Sequence, residues 1–366
     1  MKPLGFFHRV MLMLNMIVML LFVVAAYSYL VSPKQSVVFP FLGLMFPVFM
    51  VANLFFTVYW LCFRKWLRFL VVVFSFLICW KSVSSYVPIH IPHAEAPAKG
   101  VIKILSYNVM GFGYKDHTAK KPNPILRYII DSGADIVCLQ EYMTGISPDG
   151  ILTEKKIRDA LKMYPYYYKL PLTRNARYTV GLGIFSKYPI LKSRKVRYDS
   201  AFNGSTLHEI RVDGKTVYVI NNHLESFKLT MGDRSRYAEF IGSISSGVSD
   251  NLIETMQRKL GAAFRIRAEQ AEIVAEEIAA LKDERIVVCG DFNDTPVSYA
   301  YRTVRGRLSD AFEESGCGVG ATYNQNFFRF RLDHILFSQH ISVCETKIDR
   351  IPFSDHYPVW CRVEIR

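Results

Sequence analysis

The chain has 366 residues and a formal net charge of +13, from 45 lysines and arginines against 32 acidic residues. This length accommodates one large domain and a further region. The first 100 residues hold eight basic residues and one acid, so seven of the thirteen surplus charges lie among apolar segments. The surplus is therefore only weak support for a phosphate-bearing partner. Five cysteines follow residue 100, an odd number without a CxxC pair, which argues against a fully disulfide-paired secreted scaffold.

Three apolar segments come first in the chain. Residues 10–31 and 37–63 contain no charged side chain, and residues 66–87 contain only Arg68 and Lys81. A membrane-spanning helix needs about 20 apolar residues, so the sequence predicts three transmembrane helices at about 10–31, 37–63 and 66–87. Pro40 and Pro47 predict a kink or a late start in the second. A signal peptide is the rival interpretation of the first segment, but no small-residue cleavage site follows it.

The placement of basic residues predicts the orientation of these segments, because lysine and arginine favour the cytoplasmic side. Only Lys34 lies between the first two segments. Five others precede the first segment or separate the second from the third: Lys2, Arg9, Arg64, Lys65 and Arg68. The N-terminus is thus predicted in the cytoplasm, and everything after three spans on the extracytoplasmic side of an inner or plasma membrane. If the third segment does not span, the later domain is cytoplasmic.

A proline-rich stretch, "VPIHIPHAEAPAKG", joins the apolar segments to the rest of the chain. It predicts a stiff linker over residues 88–100, which at roughly 3 Å per residue could hold the domain about 40 Å from the membrane. His90 and His93 are spaced like metal ligands, but linker histidines are usually solvated, so we expect no metal there.

Strand-like and helix-like segments alternate from residue 101 to residue 366. "VIKILSYNV" and "ADIVCLQE" predict strands, "NPILRYIIDSG" and "TEKKIRDALKMY" predict helices, and Asp213-Gly214 predicts a tight hairpin turn. Such a mixture indicates an α/β sandwich of two or four layers. Residues 228–264 interrupt the pattern and predict two helices around 245–250, either as a surface excursion or as a lid or membrane-facing element.

Polar side chains follow apolar strands six times in this domain. Each time the residues are Asn, Gln, Asp, Glu or His, in the stretches "SYN", "CLQE", "INNH", "CGDFN", "RLDH" and "SDH". One such ending is an ordinary turn. Six of them predict that one end of the sandwich gathers acids, amides and imidazoles.

In this order, the segments "SYNV", "DIVCLQE", "NNHL", "GDFND", "RLDHIL" and "SDHYPV" closely resemble the endonuclease/exonuclease/phosphatase superfamily. The resemblance covers about residues 101–366 and leaves out the apolar leader and the 228–264 insertion. It implies a four-layer α/β sandwich of two mixed β-sheets flanked by helices. It also implies a Mg²⁺-dependent phosphoesterase, with Mn²⁺ as the alternative ion, in which metal assists the attack of water on a phosphate ester.

The resemblance also implies roles for eight residues. The metal ligands would be Glu141, as the principal one, together with Asn108 and Asp355. The catalytic group would comprise five residues: His223, Asp291, Asn293, Asp333 and His356. Asp333 would orient His356 on the phosphate, Asp291 would orient or deprotonate water, and the choice of base between Asp291 and His356 stays open.

Neighbouring polar residues are assigned to structure instead. Alternation points His334 to the face opposite Asp333, and His208 and Asn222 are interpreted as structural residues. The aromatic stretches "YPYYY" and "NFFRFR" predict core packing, with substrate stacking as the alternative. A phosphate contact is the hypothesis for Arg329 and Arg331.

The sequence therefore predicts a membrane-anchored phosphoesterase, nuclease-type by default, with a phospholipid, sphingomyelin or inositol-phosphate phosphoesterase as the alternative. Its partners would be a phosphate-ester substrate and the lipid bilayer, and nothing identifies a protein partner. An inactive phosphate-binding membrane module is the rival from another class. A transporter is disfavoured because the first two apolar segments contain no ionisable residue.

Overall fold

The computed structural model describes residues 5–90, 100–147, 150–198, 200, 202–227, 250–325 and 328–366. Most of the predicted linker, the first half of the 228–264 insertion and the start of "NFFRFR" lie outside these ranges. The described chain forms an N-terminal helical region, defined here as residues 5–87, followed by an α/β domain.

The helical region contains five α-helices: α1 Phe6–Ala26, α2 Val38–Leu44, α3 Phe46–Cys62, α4 Trp66–Ile78 and α5 Trp80–Tyr86. Among the helices of the described residues, only α1 is by itself long and apolar enough to cross a membrane. The pairs α2–α3 and α4–α5 qualify if each crosses as one bent span, with bends of 57° and 71°. The first bend lies at Met45, two residues before Pro47 in the opening turn of α3, where proline is tolerated. Up to three spans are thus compatible with the structure.

Two mixed six-stranded sheets form the centre of the α/β domain. The strands are β1 Val101–Asn108, β2 Ile136–Gly145, β3 Tyr166–Arg174, β4 Tyr178–Ser186, β5 Ile190–Lys195, β6 Gly204–Val212, β7 Lys215–His223, β8 Arg285–Asp291, β9 Ser309–Asp310, β10 Tyr323–Gln325, β11 Phe328–Phe330, β12 Asp333–Phe337, β13 Ile341–Ile348 and β14 Val359–Ile365. The first sheet has the order β13-β14-β1-β2-β4-β3 and the second β5-β6-β7-β8-β12-β9. Strands β10 and β11 form a separate ribbon.

Helices cover the outer face of each sheet. They are α6 Pro124–Ser132, α7 Glu154–Ala160, α8 Asp250–Ala280, α9 Tyr299–Arg305 and α10 Ala311–Ser315. Apolar residues of α6 and α7 pack on the first sheet, and residues of α8 and α9 pack on the second. Isoleucines and valines of both sheets fill the space between them. The predicted four-layer sandwich is therefore confirmed.

Local signals in the sequence explain several element ends. Asn123 caps α6 by accepting hydrogen bonds from the Ile125 and Leu126 amides, and Gly133 ends it in the left-handed conformation. Asp213 and Gly214 both have positive φ, as a two-residue hairpin turn between β6 and β7 requires.

The second of the two helices predicted around 245–250 is present in the insertion. It begins at Asp250 and runs without a break to Ala280, over 31 residues. The second half of the insertion thus extends the helix whose apolar face, including Ala271 and Val274, packs on the second sheet. The residues before 250 lie outside the described ranges.

The helical region contacts the α/β domain directly, and residues 91–99 of the predicted linker lie outside the described residues. Lys34 pairs with Glu272 at 2.5 Å, and the rings of Phe41 and Phe264 meet edge to face. The Arg331 guanidinium donates a hydrogen bond to the Ser85 carbonyl oxygen. Pro88 also accepts a hydrogen bond from the Gly318 amide at 2.9 Å, before the linker leaves the described residues. The domain therefore rests on the helices.

Candidate active site

Strand alternation sends the predicted site residues into the space between the two sheets. In β7, Val217 and Val219 belong to the core between the sheets, and His223 continues the same series at the strand end. In β8, Val287 and Cys289 lead in the same way to Asp291. Parallel pairing of β7 and β8 puts His223 directly beside Asp291, and antiparallel pairing of β12 and β8 puts Asp333 on its other side. Three polar residues thus form a row across the second sheet.

Asn108 joins this row to the first sheet. Its amide nitrogen donates to Asp291 Oδ2 at 3.1 Å and to Glu141 Oε1 at 3.2 Å. Its oxygen accepts from the Met110 amide at 3.1 Å, which fixes the orientation of the carboxamide. One buried side chain therefore holds the carboxylates of Glu141 and Asp291, which belong to different sheets, at one polar opening between the sheets. This opening is called the mouth here.

Glu141 reaches the mouth because β2 contains a bulge. The pairing with β4 shifts by one residue between Leu139 and Tyr142, and Glu141 has a φ of 51°. Positive φ is uncommon for a residue with a long side chain and often marks a functional site. The Glu141 side chain is 35% exposed, whereas that of Asp291 is 1% exposed. Glu141 is therefore the carboxylate of this pair that solvent ions reach.

His356 and Asp333 form a buried hydrogen-bonded pair. The distance between His356 Nδ1 and Asp333 Oδ2 is 2.8 Å, and His356 Nε2 lies 3.6 Å from Asp291 Oδ2. Burial lowers the pKa of His356, but the nearby carboxylates of Asp333 and Asp291 outweigh burial and raise it well above its ordinary value. The two acids on either side of His356 thus favour its protonated form.

Asp291 and His223 are shifted in the direction that favours their neutral forms. Burial raises the pKa of Asp291, against the opposing charge of His356. Burial lowers the pKa of His223, although Asp291 acts against that shift. His223 Nε2 is buried without a hydrogen-bond partner among the described residues, 3.9 Å from both Glu141 Oε1 and Asp291 Oδ2. A polar group in the mouth can therefore satisfy this nitrogen.

Asn293 and Gly290 show why the "GDFN" stretch has this composition. Asn293 has a φ of 52°, its amide donates to Asp291 Oδ1 at 2.8 Å, and its side chain donates to the Leu224 carbonyl. Gly290 also has positive φ, and a β-carbon there would lie 2.0 Å from the Asn222 carbonyl oxygen. Both positions hold Asp291 in place through the backbone.

Asp355 lies in the loop that precedes β14, next to His356. Ser354 Oγ donates to the Asn108 carbonyl at 2.7 Å and contacts Asp355 Oδ1 at 3.3 Å, which ties this loop to the end of β1. The charges of Glu141 and Asp355 both act on Tyr114, whose pKa is raised by burial first and by these acids in addition. The two predicted metal ligands therefore share one neighbourhood.

The eight predicted residues are thus gathered around one mouth. Sequence reasoning missed two further contributors. Tyr323 packs its ring on that of His356, with 5.0 Å between ring centroids. Arg267 of α8 is fully buried and pairs with Asp294 at 2.8 Å, which holds the loop after Asp291. No motif marks Arg267, since its partner is 27 positions away.

Most of the residues assigned to structure behave as expected. His334 points away from Asp333, and its Nε2 bonds the Asp294 carbonyl at 3.0 Å. His208 is buried between Ser193 and Thr206, and burial lowers its pKa to about 3.

The other neighbours of the motifs also have structural surroundings. Asn222 accepts a hydrogen bond from the Ser205 hydroxyl. In the aromatic stretch, Tyr164 is buried and Tyr167 stacks on Phe185. Core packing therefore accounts for Tyr164 and Tyr167, whereas Tyr166 is exposed.

The phosphate contact expected for Arg331 is wrong. Arg331 is 2% exposed, and its guanidinium pairs with Asp310 at 3.3 Å and with the Ser85 carbonyl. A buried cation with these partners stabilises the attachment of the helical region. Arg329, by contrast, is exposed.

The mouth suits a divalent cation chemically. Glu141, Asp291, Asp333 and Asp355 supply four carboxylates, whereas no lysine or arginine pairs with Asp291 or Asp333 in the described ranges. Hard divalent ions such as Mg²⁺ prefer oxygen ligands of this type. The exposed edge of Glu141 and the unpaired buried oxygen Asp333 Oδ1 fit an additional positive charge in the mouth.

One other arrangement of possible ligands is present. Ligand atoms of Asp291, Asp333 and His356 lie within 4.8 Å of one another. His356 Nδ1 is engaged by Asp333, and the raised pKa keeps the ring protonated, whereas a metal needs the neutral ring. This trio is therefore better suited to acid–base chemistry than to holding the ion.

A family model described as the endonuclease/exonuclease/phosphatase family matches residues 105–356. The chain belongs to this family. Its members are divalent-metal-dependent enzymes, and the domain is accordingly a phosphoester hydrolase. A second family model, for a domain of unknown function, matches residues 8–86, which is nearly the whole helical region. No curated protein matches the chain.

Solved structures show the same fold. An endonuclease/exonuclease/phosphatase protein from Beutenbergia cavernae is 16% identical, with a TM-score of 0.52, and the match covers 73% of this chain and 72% of that one. The human nocturnin catalytic domain, solved with a bound sulfate anion, is also 16% identical with a TM-score of 0.52, covering 74% and 97%. At this identity the likeness concerns the fold alone.

Proposed function

We propose that this protein is a membrane-anchored, Mg²⁺-dependent phosphodiesterase that hydrolyses its substrate by direct attack of water. The observation that carries the proposal is the row His356–Asp333–Asp291, which places the His356 imidazole 3.6 Å from the buried carboxylate of Asp291. Next to this row, Asn108 connects Asp291 to the exposed carboxylate Glu141.

His356 and Asp291 have different roles in the proposed hydrolysis. Asp333 holds His356 Nδ1, so His356 Nε2 carries a proton toward the mouth and stabilises charge on a phosphate oxygen. Asp291 accepts the proton of the attacking water. Its raised pKa makes it a stronger base than an exposed aspartate, and Asn108 and the Asn293 amide hold its two oxygens.

Neutral His223 contributes a nitrogen to the same mouth, where a phosphate oxygen is its natural partner. Glu141 is the principal residue to hold Mg²⁺, with Asn108 and Asp355 beside it. When bound, the ion neutralises phosphate oxygens. The human nocturnin catalytic domain, which has the same fold, was solved with a bound sulfate, and this anion of the same shape as phosphate supports an anion site in this fold.

Membrane anchoring is supported by the apolar helices and by the way the domain rests on them. The loop between α1 and α2 contacts α8 through Lys34 and Glu272, and the end of α5 contacts Arg331 through Ser85. Both helix ends therefore lie on the domain side, as three crossings require. With the basic residues inside, the domain is extracytoplasmic, so a C-terminal alkaline phosphatase fusion should be active. If the alkaline phosphatase fusion is inactive and a fluorescent protein fused at the C-terminus is bright, the domain lies in the cytoplasm and the predicted orientation is wrong.

A substrate screen tests the catalytic proposal. The detergent-solubilised full chain, with Mg²⁺ or Mn²⁺, is incubated with plasmid DNA, abasic DNA, RNA, sphingomyelin, phosphatidylinositol phosphates and simple monoesters. We expect hydrolysis of a phosphodiester, with nucleic acid first among the candidates, and hydrolysis by His356→Ala that is slower by at least about a hundredfold. Turnover of monoesters alone would contradict the diester assignment, and equal rates for His356→Ala would contradict the site.

A lipid-phosphate diester is the second candidate. It is favoured by one observation, the direct packing of the domain on the helical region, which keeps the domain near lipid headgroups. In the same screen, hydrolysis of sphingomyelin or phosphatidylinositol phosphates without hydrolysis of nucleic acid would select it.

A further inference from the structure

A basic cavity of about 490 Å³ lies where the helical region meets the α/β domain. Tyr29 and Lys81 line it from the helical region, and residues of α9 and the following turn line it from the domain. Four of its lining residues are cations and none is an acid: Lys81, Arg302, Arg305 and Arg307. It shares no residue with the catalytic mouth. A cavity of this size, with one sign of charge, suits a small anionic group.

Three of the four cations are available to a ligand. Arg305 is committed, because it pairs with Glu313 at 2.7 Å and donates to the Leu308 carbonyl. Lys81 and Arg307 are exposed and form no ion pair with a carboxylate of the described residues.

Arg302 is the cation at the junction itself. One of its terminal nitrogens donates to Ser85 Oγ at 3.1 Å, and its guanidinium lies over the Tyr29 ring at 5.2 Å. Its Nε is buried without a hydrogen-bond partner among the described residues. An oriented guanidinium with an unused donor is a typical phosphate ligand.

Exposed apolar side chains flank the cavity on the side of the helices. Leu30 follows Tyr29 and is 68% exposed, and Trp80 precedes Lys81 and is 60% exposed. Leu77, one turn earlier in α4, is 62% exposed. Tryptophan and tyrosine are enriched at the membrane–water interface, where apolar surface meets polar headgroups. The neighbourhood therefore offers cations to a headgroup and apolar surface to its acyl chains.

We propose that this cavity binds the phosphate group of an anionic phospholipid, with Lys81, Arg302 and Arg307 on the phosphate and the chains beside Leu30 and Trp80. The inference rests on the proposed membrane anchoring and is independent of the catalytic chemistry. Phosphate is the shared chemistry, and a free phosphate ester is the alternative source. Lipid bound here would hold the domain in a fixed position on the bilayer surface.

Binding by the full chain in an uncharged detergent, with EDTA present, tests the proposal. The probes are dioctanoyl phosphatidylglycerol, dioctanoyl phosphatidylcholine with the same chains, and glycerol 3-phosphate without chains. We expect Lys81→Gln/Arg307→Gln to bind phosphatidylglycerol roughly 30-fold more weakly, about fivefold for each cation. Lys162→Gln/Arg211→Gln removes the same charge from exposed positions elsewhere and should leave the affinity unchanged.

The three probes separate the sources of the phosphate. If the Lys81→Gln/Arg307→Gln variant loses affinity for phosphatidylglycerol only, the cavity is a lipid site. If it loses affinity for glycerol 3-phosphate to the same extent, the cavity is a site for free phosphate esters. Equal affinities of the Lys81/Arg307 and Lys162/Arg211 variants would overturn the proposal. If the Lys81→Gln/Arg307→Gln variant does not unfold cooperatively on heating, it is not properly folded. The single variant Arg307→Gln then tests the proposal, and we expect it to bind phosphatidylglycerol about fivefold more weakly.

Two further measurements keep this inference apart from the proposed function. The Lys81→Gln/Arg307→Gln chain should hydrolyse a soluble phosphodiester at the unchanged rate, so a failed substrate screen leaves the cavity result standing. Release of the chain from membranes by alkaline washing would count against anchoring, whereas unaltered lipid affinity counts against the cavity alone.

Discussion

Two buried histidine–carboxylate clusters lie on opposite faces of strand β12 and differ in the cation that balances their carboxylates. On the outer face, Asp310 accepts from the Tyr301 hydroxyl and the Phe312 amide, both at 2.7 Å, and pairs with Arg331. Burial would raise the pKa of Asp310, but Arg331 and its neighbours His334 and Tyr301 hold it well below its ordinary range. This cluster has a permanent cation and no role in the mouth.

The cluster on the inner face has no such cation. Asp333 and Asp291 share only His356, whose charge depends on a proton. Asp333 Oδ1 and His223 Nε2 are buried without partners among the described residues, and the pKa of Asp291 is raised. A buried acid completed by arginine is fixed in one charge state, whereas acids that share a histidine can exchange protons. The contrast separates the structural cluster from the catalytic one.

The largest expected effect on activity is that of His356→Ala. Removing a positioned acid–base group should reduce kcat by about 10²–10⁴-fold, and because His356 acts on the phosphate, added Mg²⁺ should restore nothing. Initial rates in a Mg²⁺ titration measure this. Recovery at high Mg²⁺ would mean that His356 supports the metal instead.

On the other face, Arg331→Met should affect stability and leave chemistry intact. The substitution leaves Asp310 as a buried charge without its cation. Breaking such a pair lowers the free energy of unfolding by about 3–5 kcal/mol. Thermal unfolding and kcat per folded molecule are the measurements. Arg329→Met removes the same charge from an exposed position and should change neither. A large loss of kcat without a loss of stability would indicate that Arg331 acts in the active site after all.

Glu141→Gln should weaken Mg²⁺ binding by at least about tenfold, the loss seen when even an indirect metal partner is removed. High Mg²⁺ should then restore part of the rate, unlike with His356→Ala. Glu276→Gln, on the exposed face of α8, is the matched control. If Glu141→Gln depends on the Mg²⁺ concentration in the same way as the unchanged protein, Glu141 is not a metal ligand, although the fold assignment is unaffected.

Asp333→Asn should give the smallest change, a milder loss than His356→Ala, because the imidazole remains but is poorly oriented. It should also move the pH profile. Activity needs the His356 cation, so it falls as the pH rises through the pKa of His356, which Asp333 raises. Without Asp333 that pKa drops, and the alkaline limb should shift to lower pH. An unshifted limb would show that another group titrates there.

Strand patterns predicted an α/β sandwich with polar residues gathered at one end, whereas the four-layer arrangement and the roles of the site residues came from the family resemblance. Val217, Val219 and His223 share one face of β7, and the same alternation correctly separates Asp333 from His334. Period-two arguments work here because both sheets bury their inner faces.

Contacts between distant parts of the chain could not be predicted in this way. Arg331 looked like a phosphate ligand because its partners, Asp310 and Ser85, are far away in sequence. The docking of the helical region on the domain likewise depends on pairs such as Lys34 with Glu272. A helix after 245–250 was predicted from the sequence, but its continuation without a break to Ala280 was not.

The bulge in β2 restricts how this strand can change in length over evolution. Val137 and Leu139 face the helical layer, and in a regular strand Glu141 would follow them into that apolar environment. The extra residue reverses the alternation, so Tyr142 packs in the helical layer while Glu141 turns to the mouth. A single-residue deletion here would bury the carboxylate among hydrocarbon side chains, whereas insertions in the surface loops would leave it untouched. Relatives that bind metal in this way should therefore vary in their loops and keep the residue count of β2.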